Sequence, residues 1–367
     1  MIFLENNVFE EALDRIRFIY DHHDDVIVSV SGGKDSTVLL ELTIMVAREK
    51  NRLPVKAFFL DQEVEWQSTI DYMSRLMSRE EVEPYWYQIP FDFTNSLSNQ
   101  KNFLKLWDPL EKDKWVHPQN EISIKENPSN YNRFHDLAKN LQNYITESDE
   151  CAVLVGLTMY ESLARRLTTT SANYSYRGIT WCSSKHGRTR TYWPIYDFKE
   201  DDVWTAIAKN KWDYNNLYDL MYRYGVPKRK MRCSALIHET AYESMKYLQE
   251  IEPRTYERMS IRCAGVSTFS HSFDMGEVMP KELPFAFSSW KEYRDYLLVK
   301  LVKPEYWDVF KKAWRGQDGD KWYKRHVREV IVNDIDMTKN GNSKILEEFL
   351  NKKQRCREED LRAINND

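Results

Sequence analysis

The sequence predicts an α/β fold, a doubly wound and mainly parallel sheet with a helical insertion and a mainly helical C-terminal region. Three observations carry that expectation. The apolar run Val26-Ile27-Val28-Ser29-Val30 passes through SGGKDS (31–36) straight into the helical stretch Thr37–Leu42, which is the order strand, glycine turn, helix. Further strand patterns at Val55–Leu60, Tyr85–Ile89 and Cys151–Gly156 alternate with helical patterns, as parallel crossover units require. From about residue 199 the periodicity becomes mainly helical, starting at Lys199-Glu200-Asp201-Asp202-Val203-Trp204.

The chain divides accordingly. Residues 1–23 read as an amphipathic N-terminal helix packing on the core, 24–215 as the α/β domain, and 216–367 as the mainly helical region. The second strand ends at Asp61, and a helix is expected around Thr69–Arg79. Residues 96–150 are too long for an ordinary connection and read as an insertion with helices of its own. The strand beginning at Cys151 opens a helix containing Glu161, Ser162 and Arg165. In such a sheet a ligand lies outside the carboxyl ends of the strands, where SGGKDS, Asp61 and Gly156 all fall.

Composition narrows the class. The 367 residues suffice for one large core or two modest ones, and their net charge of −4 neither supports nor excludes nucleic acid as a partner. Five scattered cysteines, with no CxxC pair, argue against a disulfide framework and for a reducing cytoplasm. Acids near the N-terminus do not suit a signal peptide, and no apolar run approaches membrane-spanning length.

The chemistry concentrates in a few stretches. In SGGKDS, Gly32 and Gly33 let the backbone turn sharply and bring N–H groups close to an anion. The helix that follows adds its positive dipole end, and Lys34 adds a point charge. The spacing matches neither Walker A nor GxGxxG. Asp35 and Ser36 would serve as caps if the turn were an ordinary one. Asp61 and Glu63, at a strand end beside a phosphate loop, are candidates for a ribose hydroxyl or Mg²⁺, against a solvated acidic turn as the plain alternative. Gly156 permits close backbone approach. Glu161 and Arg165 stand four apart on one helix face, a spacing that a surface ion pair explains equally well. The cluster Lys228, Arg229, Lys230 and Arg232 either completes an anion site or forms a solvated face. The pairs Cys182 with His186 and Cys233 with His238 lack zinc or iron–sulfur spacing and read as idle thiols.

With these pieces in order, SGGKDS resembles the signature of the ATP pyrophosphatase families. Together with LDQEVEW (60–66), GLTMYESLARR (156–166) and WPIYDFKEDDVW (193–204), it makes the chain similar to the phosphoadenosine phosphosulfate (PAPS) reductase-like family of the adenine nucleotide alpha hydrolase superfamily. WDPLEKDKWV (107–116), YNNLYDLMYRYGVPKRKMR (214–232) and EPRTYERMSIRCAG (252–265) look like its bacterial and phage subgroup of immunoglobulin-binding regulator A-like proteins. The resemblance implies that Ser31, Gly32, Gly33, Lys34, Asp35 and Ser36 form the phosphate loop. It makes Asp61 the strand-end acid, and Gly156, Glu161, Ser162 and Arg165 a second nucleotide-facing motif, with Arg232 beside them. Lys34, Asp35 and Arg165 are the catalytic candidates, ATP or PAPS the nucleotide, Mg²⁺ its companion through Asp61, and a ParB-like protein a partner; a homo-oligomer is left open. Thr158 stands where many relatives have an arginine, and the Cys-Gly-Leu-His segment of the family's reductases does not occur, nor do the cysteine pairs of iron–sulfur members. ATP cleavage at the α-phosphate is therefore expected first, sulfonucleotide chemistry second, and a nucleotide-sensing regulator third.

Overall fold

The computed structural model describes residues 7–95, 103–161, 163–170, 175–237, 244–263, 265–266, 280, 282–331 and 333–335. The chain forms two compact units, one of Met1–Asp92, Lys105–Leu236 and Tyr247–Arg258, the other of Phe93–Leu104, Ile237–Lys246 and Met259–Asp367.

The first unit is built on a six-stranded sheet. Helix α1 (Val8–His22) leads into strand β1 (Asp25–Ser29), helix α2 (Lys34–Glu49), strand β2 (Val55–Leu60), helix α3 (Gln67–Met77) and strand β3 (Val82–Tyr87). Short strands β4 (Phe91–Thr94) and β5 (Phe103–Leu106) lie outside this sheet. Helix α4 (Phe134–Asn140), strand β6 (Cys151–Val155), helix α5 (Leu163–Thr170), strands β7 (Cys182–His186) and β8 (Thr189–Tyr192), and helices α6 (Glu200–Asn210) and α7 (Leu217–Tyr224) follow. The sheet order is β3-β2-β1-β6-β8-β7. All pairings are parallel except β7 with β8. The chain winds outward from β1 through β2 to β3, then returns to pair β6 on the other side of β1. The carboxyl ends of β1 and β6, where Ser29 pairs with Val155, thus form the topological switch point.

The continuous apolar character of β1 follows from burial on both faces: Val26, Ile27 and Val28 are at most 5% exposed. Helix α2 supplies Val38, Leu39, Leu40 and Leu42 to the same core. Helix α1 starts at a capping box, in which Asn7 Oδ1 accepts from the N–H of Phe9 and Glu10 while Glu10 Oε2 accepts from Asn7 N. Arg15 of α1 forks onto both oxygens of Asp197, at 2.7 Å each, which fastens that helix to the segment before α6. Residues 247–258 belong to this unit through Glu252, whose carboxylate caps α3 by accepting from Gln67 N (2.7 Å) and Ser68 N (2.9 Å).

Two features differ from the sequence reading. The β7–β8 hairpin adds an antiparallel edge whose polar, alternating residues gave no continuous apolar signal. Residues 216–236, assigned above to the C-terminal region, fold with the α/β unit. The second unit has its own core, in which Trp290, Leu298, Val309, Phe310, Val327 and Val330 from three helices meet. Among the described residues no helix is long and apolar enough to cross a membrane.

Candidate functional site

SGGKDS spans the end of β1 and the first turn of α2. Gly32 has φ +69°, a conformation that costs a side-chain-bearing residue about 1–2 kcal/mol, and a Cβ there would lie 2.7 Å from Thr69 Cγ2. Gly33 is the N-cap of α2 and brings no side-chain cap of its own, so the opening N–H groups of the helix are left for another acceptor. The loop is tied from several sides. Ser36 Oγ accepts from Ser31 N (3.2 Å) and donates to Gly33 O (2.9 Å), and Asn215 Nδ2 donates to Gly32 O (3.1 Å). Tyr218 Oη accepts from Lys34 N at 3.2 Å. Lys34 is less open than an exposed loop lysine: its ammonium pairs with Asp35 Oδ2 at 2.9 Å, and the two side chains are only 13% and 17% exposed.

Gly156 follows β6 and packs directly on this turn. A Cβ on it would stand 2.9 Å from Ser36 N and 3.0 Å from the Asp35 carbonyl carbon, both backbone atoms. Only glycine lets the end of β6 approach the first turn of α2 to that distance. Arg165, on α5, pairs with Glu161 just before that helix. Its guanidinium is held below its ordinary value by burial and by the nearby charge of Arg232, while Asp35 pulls it back up. Arg165 thus feels the charges of both Asp35 and the exposed Arg232. Ser162 lies outside the described residues.

Asp61 is placed otherwise than the sequence reading expects. It is fully buried, with Oδ1 accepting from Glu63 N (2.8 Å) and Oδ2 from Trp86 Nε1 (2.9 Å) and Gln88 Nε2 (2.8 Å). His117 Nε2 stands 3.4 Å from Oδ1, and Trp107 Nε1 donates to the Asp61 carbonyl at 2.9 Å. Three of the four acceptor positions of the carboxylate are taken up and the fourth faces the buried His117 imidazole, which leaves no open side for a ribose hydroxyl or Mg²⁺. Glu63 is equally enclosed: its φ is +59° and its Oε2 accepts from Trp107 N at 2.6 Å, Trp107 having φ +52°. Two left-handed non-glycine residues locked together mark a strained knot rather than a solvated turn. Burial, and then the charge of Asp61, hold the Glu65 carboxyl well above the usual range. For His117 burial lowers the pKa, but the charge and hydrogen bonding of Asp61, the Pro118 carbonyl and Glu63 outweigh it and leave the imidazole above its ordinary value. Among the described residues no group of three or more His, Cys, Asp or Glu is placed to hold a metal. A protein-held Mg²⁺ therefore does not fit at Asp61.

The structure also brings to the loop residues that the sequence reading took as idle, Cys233, or gave no role, Asn215 and Tyr218. Leu236 N donates to Val64 O at 2.8 Å, which lays the stretch 233–236 along the strand-end turn. This delivers Cys233 to the loop, with Sγ 3.7 Å from Ser31 O and 3.8 Å from Tyr218 Oη. Burial pushes the Cys233 thiol up to about 11, with Tyr218 and Lys34 lowering it and Glu65 raising it. Asn215 and Tyr218 carried no sequence signal beyond lying in a stretch shared with the resembling subgroup.

A glycine loop opening a helix at the switch point of a mainly parallel, doubly wound sheet defines the class as an α/β protein of the doubly wound kind. More particularly, residues 25–224 match the model of the phosphoadenosine phosphosulfate reductase domain, and the chain belongs to that family. It is similar to the uncharacterized protein YbdN of Escherichia coli strain K12, 28% identical over 313 residues that cover 80% of this chain and 75% of that one. Among solved structures it is similar to a PAPS reductase from Candida auris in a phosphate complex (14% identity, 60% of this chain and 93% of that chain, TM-score 0.34). A U34-tRNA thiolase, NcsA, from Methanococcus maripaludis with its [4Fe-4S] cluster also matches (15% identity, 75% of this chain and 81% of that chain, TM-score 0.33).

Proposed function

We propose that this chain binds ATP at the SGGKDS loop and catalyses adenylyl transfer to an acceptor with loss of pyrophosphate. The observation that carries the reading is the glycine turn at the switch point, whose N-cap Gly33 supplies no side chain to the opening of α2 and whose Lys34 lies at the first helical position. In this reading the acceptor attacks the α-phosphorus, the bond from that phosphorus to the β-phosphate bridging oxygen breaks, and pyrophosphate leaves with the electron pair. The loop N–H groups and Lys34 hold the leaving group, and Arg165 steadies the charge on the equatorial oxygens. Lys34 exchanges its contact with Asp35 for phosphate oxygens. Placement with the immunoglobulin-binding regulator A-like proteins is part of the proposal and rests on the three stretches quoted for it; a ParB-like partner would follow from it.

Sulfonucleotide reduction is the second reading, favoured by one observation, the thiol of Cys233 against the loop. A thiol pushed up to about 11 is almost wholly protonated near pH 7 and a poor nucleophile, which favours adenylyl transfer. The test is calorimetry with ATP and with PAPS on the parent and on Lys34→Ala, with pyrophosphate and sulfite assayed in the same samples. ATP affinity lost in Lys34→Ala at unchanged melting temperature, with pyrophosphate released by the parent, supports the proposal. Unchanged affinity overturns it, and sulfite production abolished by Cys233→Ser replaces it with the second reading.

A further inference from the structure

Beyond the nucleotide loop, we infer that the insertion builds a second anion site that takes a small phosphate-bearing molecule. A cavity of about 370 Å³ opens among residues of the first unit, lined by Lys112, Trp115, His117, Gln119, Lys125 and Arg258. Three cations from three separate stretches of chain converge on it, and no carboxylate lines it. Surface cations normally lie among acids, so three of them around one concavity that no carboxylate lines among the described residues form a field that recruits anions. The floor is rigid and partly apolar: Trp115 is 5% and His117 3% exposed, and Trp115 packs edge-on against Trp107 with ring centroids 5.1 Å apart.

The volume exceeds that of a bare ion and falls within the range of small-molecule sites, so the ligand carries an organic body on the Trp115 side and its charge toward the cations. Phosphate suits the rim better than a single carboxylate, because its two charges and several oxygens can face three donors at once. The floor is also joined to the strand end. Gln119 Nε2 donates to Gln88 O at 2.8 Å and Asn120 N to Gln88 Oε1 at 2.5 Å, while Gln88 in turn donates to Asp61. The cavity wall is therefore held by the same knot that closes β2, which preorganises it for binding.

The experiment titrates inorganic pyrophosphate into the full chain by calorimetry at about 150 mM salt, where loose surface attraction is screened. Four proteins are compared: the parent, Lys34→Ala, the triple variant Lys112→Gln/Lys125→Gln/Arg258→Gln, and the charge-keeping Lys112→Arg/Lys125→Arg/Arg258→Lys, with melting temperature as the folding control. The parent is expected to take up two equivalents. The neutral triple variant should lose one of them, its affinity there falling roughly tenfold or more, and the charge-keeping variant should retain it. Lys34→Ala should keep the cavity equivalent. Loss of the cavity equivalent with two retained in Lys34→Ala would uphold the cavity and sink the loop assignment. Parent-like uptake by the neutral triple variant, loss of all uptake in Lys34→Ala alone, or no uptake by the parent would each overturn the second site.

Discussion

Replacing Asp61 by asparagine separates a structural acid from a ligand-binding one. The carboxylate accepts three hydrogen bonds of 2.8–2.9 Å from Glu63 N, Trp86 Nε1 and Gln88 Nε2, and faces the His117 imidazole at 3.4 Å. An amide keeps one acceptor oxygen and turns an NH₂ toward groups that are themselves donors. At least one buried donor then loses its partner, and a charge-assisted bond of this kind is worth about 1.5–3 kcal/mol. At a pH low enough to protonate His117 its charge also loses its counterion, and breaking a buried ion pair costs about 3–5 kcal/mol in all. The larger figure contains the smaller, so a loss of about 3–5 kcal/mol is expected, which for a unit of this size lowers the melting temperature by roughly 6–20 °C. Circular dichroism melts and urea titration measure it, and calorimetry with ATP on the folded variant measures binding. The expected pattern is a large loss of stability with ATP affinity within about threefold of the parent. A stability loss below about 1 kcal/mol with ATP affinity abolished would return Asp61 to the ligand and refute the saturation argument.

Gly156→Ala should destabilise by about 1–3 kcal/mol and weaken ATP binding together, because its Cβ meets backbone atoms of Ser36 and Asp35 that cannot step aside; urea titration and calorimetry check both, and a neutral variant would show that the loop yields. His117 has a folded-state pKa above its unfolded one, so its stabilisation is complete below about pH 6.5 and is lost as pH rises through the folded value. The stability advantage of the parent over His117→Gln should therefore shrink as pH rises above about 6.5, and an advantage that grows with pH contradicts the pairing with Asp61. Arg165→Ala should weaken ATP binding more than Arg166→Ala, since adjacent helix residues point about 100° apart and Arg165 is the one that feels Asp35 and Arg232. Equal losses would reduce the pair with Glu161 to a surface contact worth at most about 1 kcal/mol.

The parallel sheet and its switch point were legible because buried parallel strands must be apolar along their whole length and the glycine turn between strand and helix is short. The same rule hid β7 and β8: past the buried Cys182, Ser184–His186 are exposed at the sheet edge, so the sequence carries no apolar run. Gly156 was readable as a close approach, and the structure supplies the reason, a strand end resting on the first turn of α2. Cys233 and Tyr218 were not readable as loop neighbours. Each lies about 184–202 residues from its loop contact, a separation that periodicity and short motifs do not span.

Asp61 shows why position at a strand end does not by itself make an acid a ligand. An acid destined for solvent or metal and an acid destined for burial look alike in the run LDQEVEW. What separates them is the supply of donors elsewhere in the chain. Trp86 and Gln88 come from the end of β3 and just beyond it, and Trp107 and His117 come from the insertion, whose length the sequence showed but whose aromatic donors had no assigned destination. Buried charge persists only when fully partnered, so these donors make the knot a condition for closing β2 against the insertion. The phosphate loop is built on the opposite principle. Its carbonyls are tied by Ser36 and Asn215 and the first N–H of α2, that of Lys34, by Tyr218, while the N-cap Gly33 itself supplies no side-chain cap. A backbone already fixed in place loses little conformational freedom when an anion arrives, so under the proposed function the affinity of the loop would rest on the Lys34 exchange from Asp35 to phosphate.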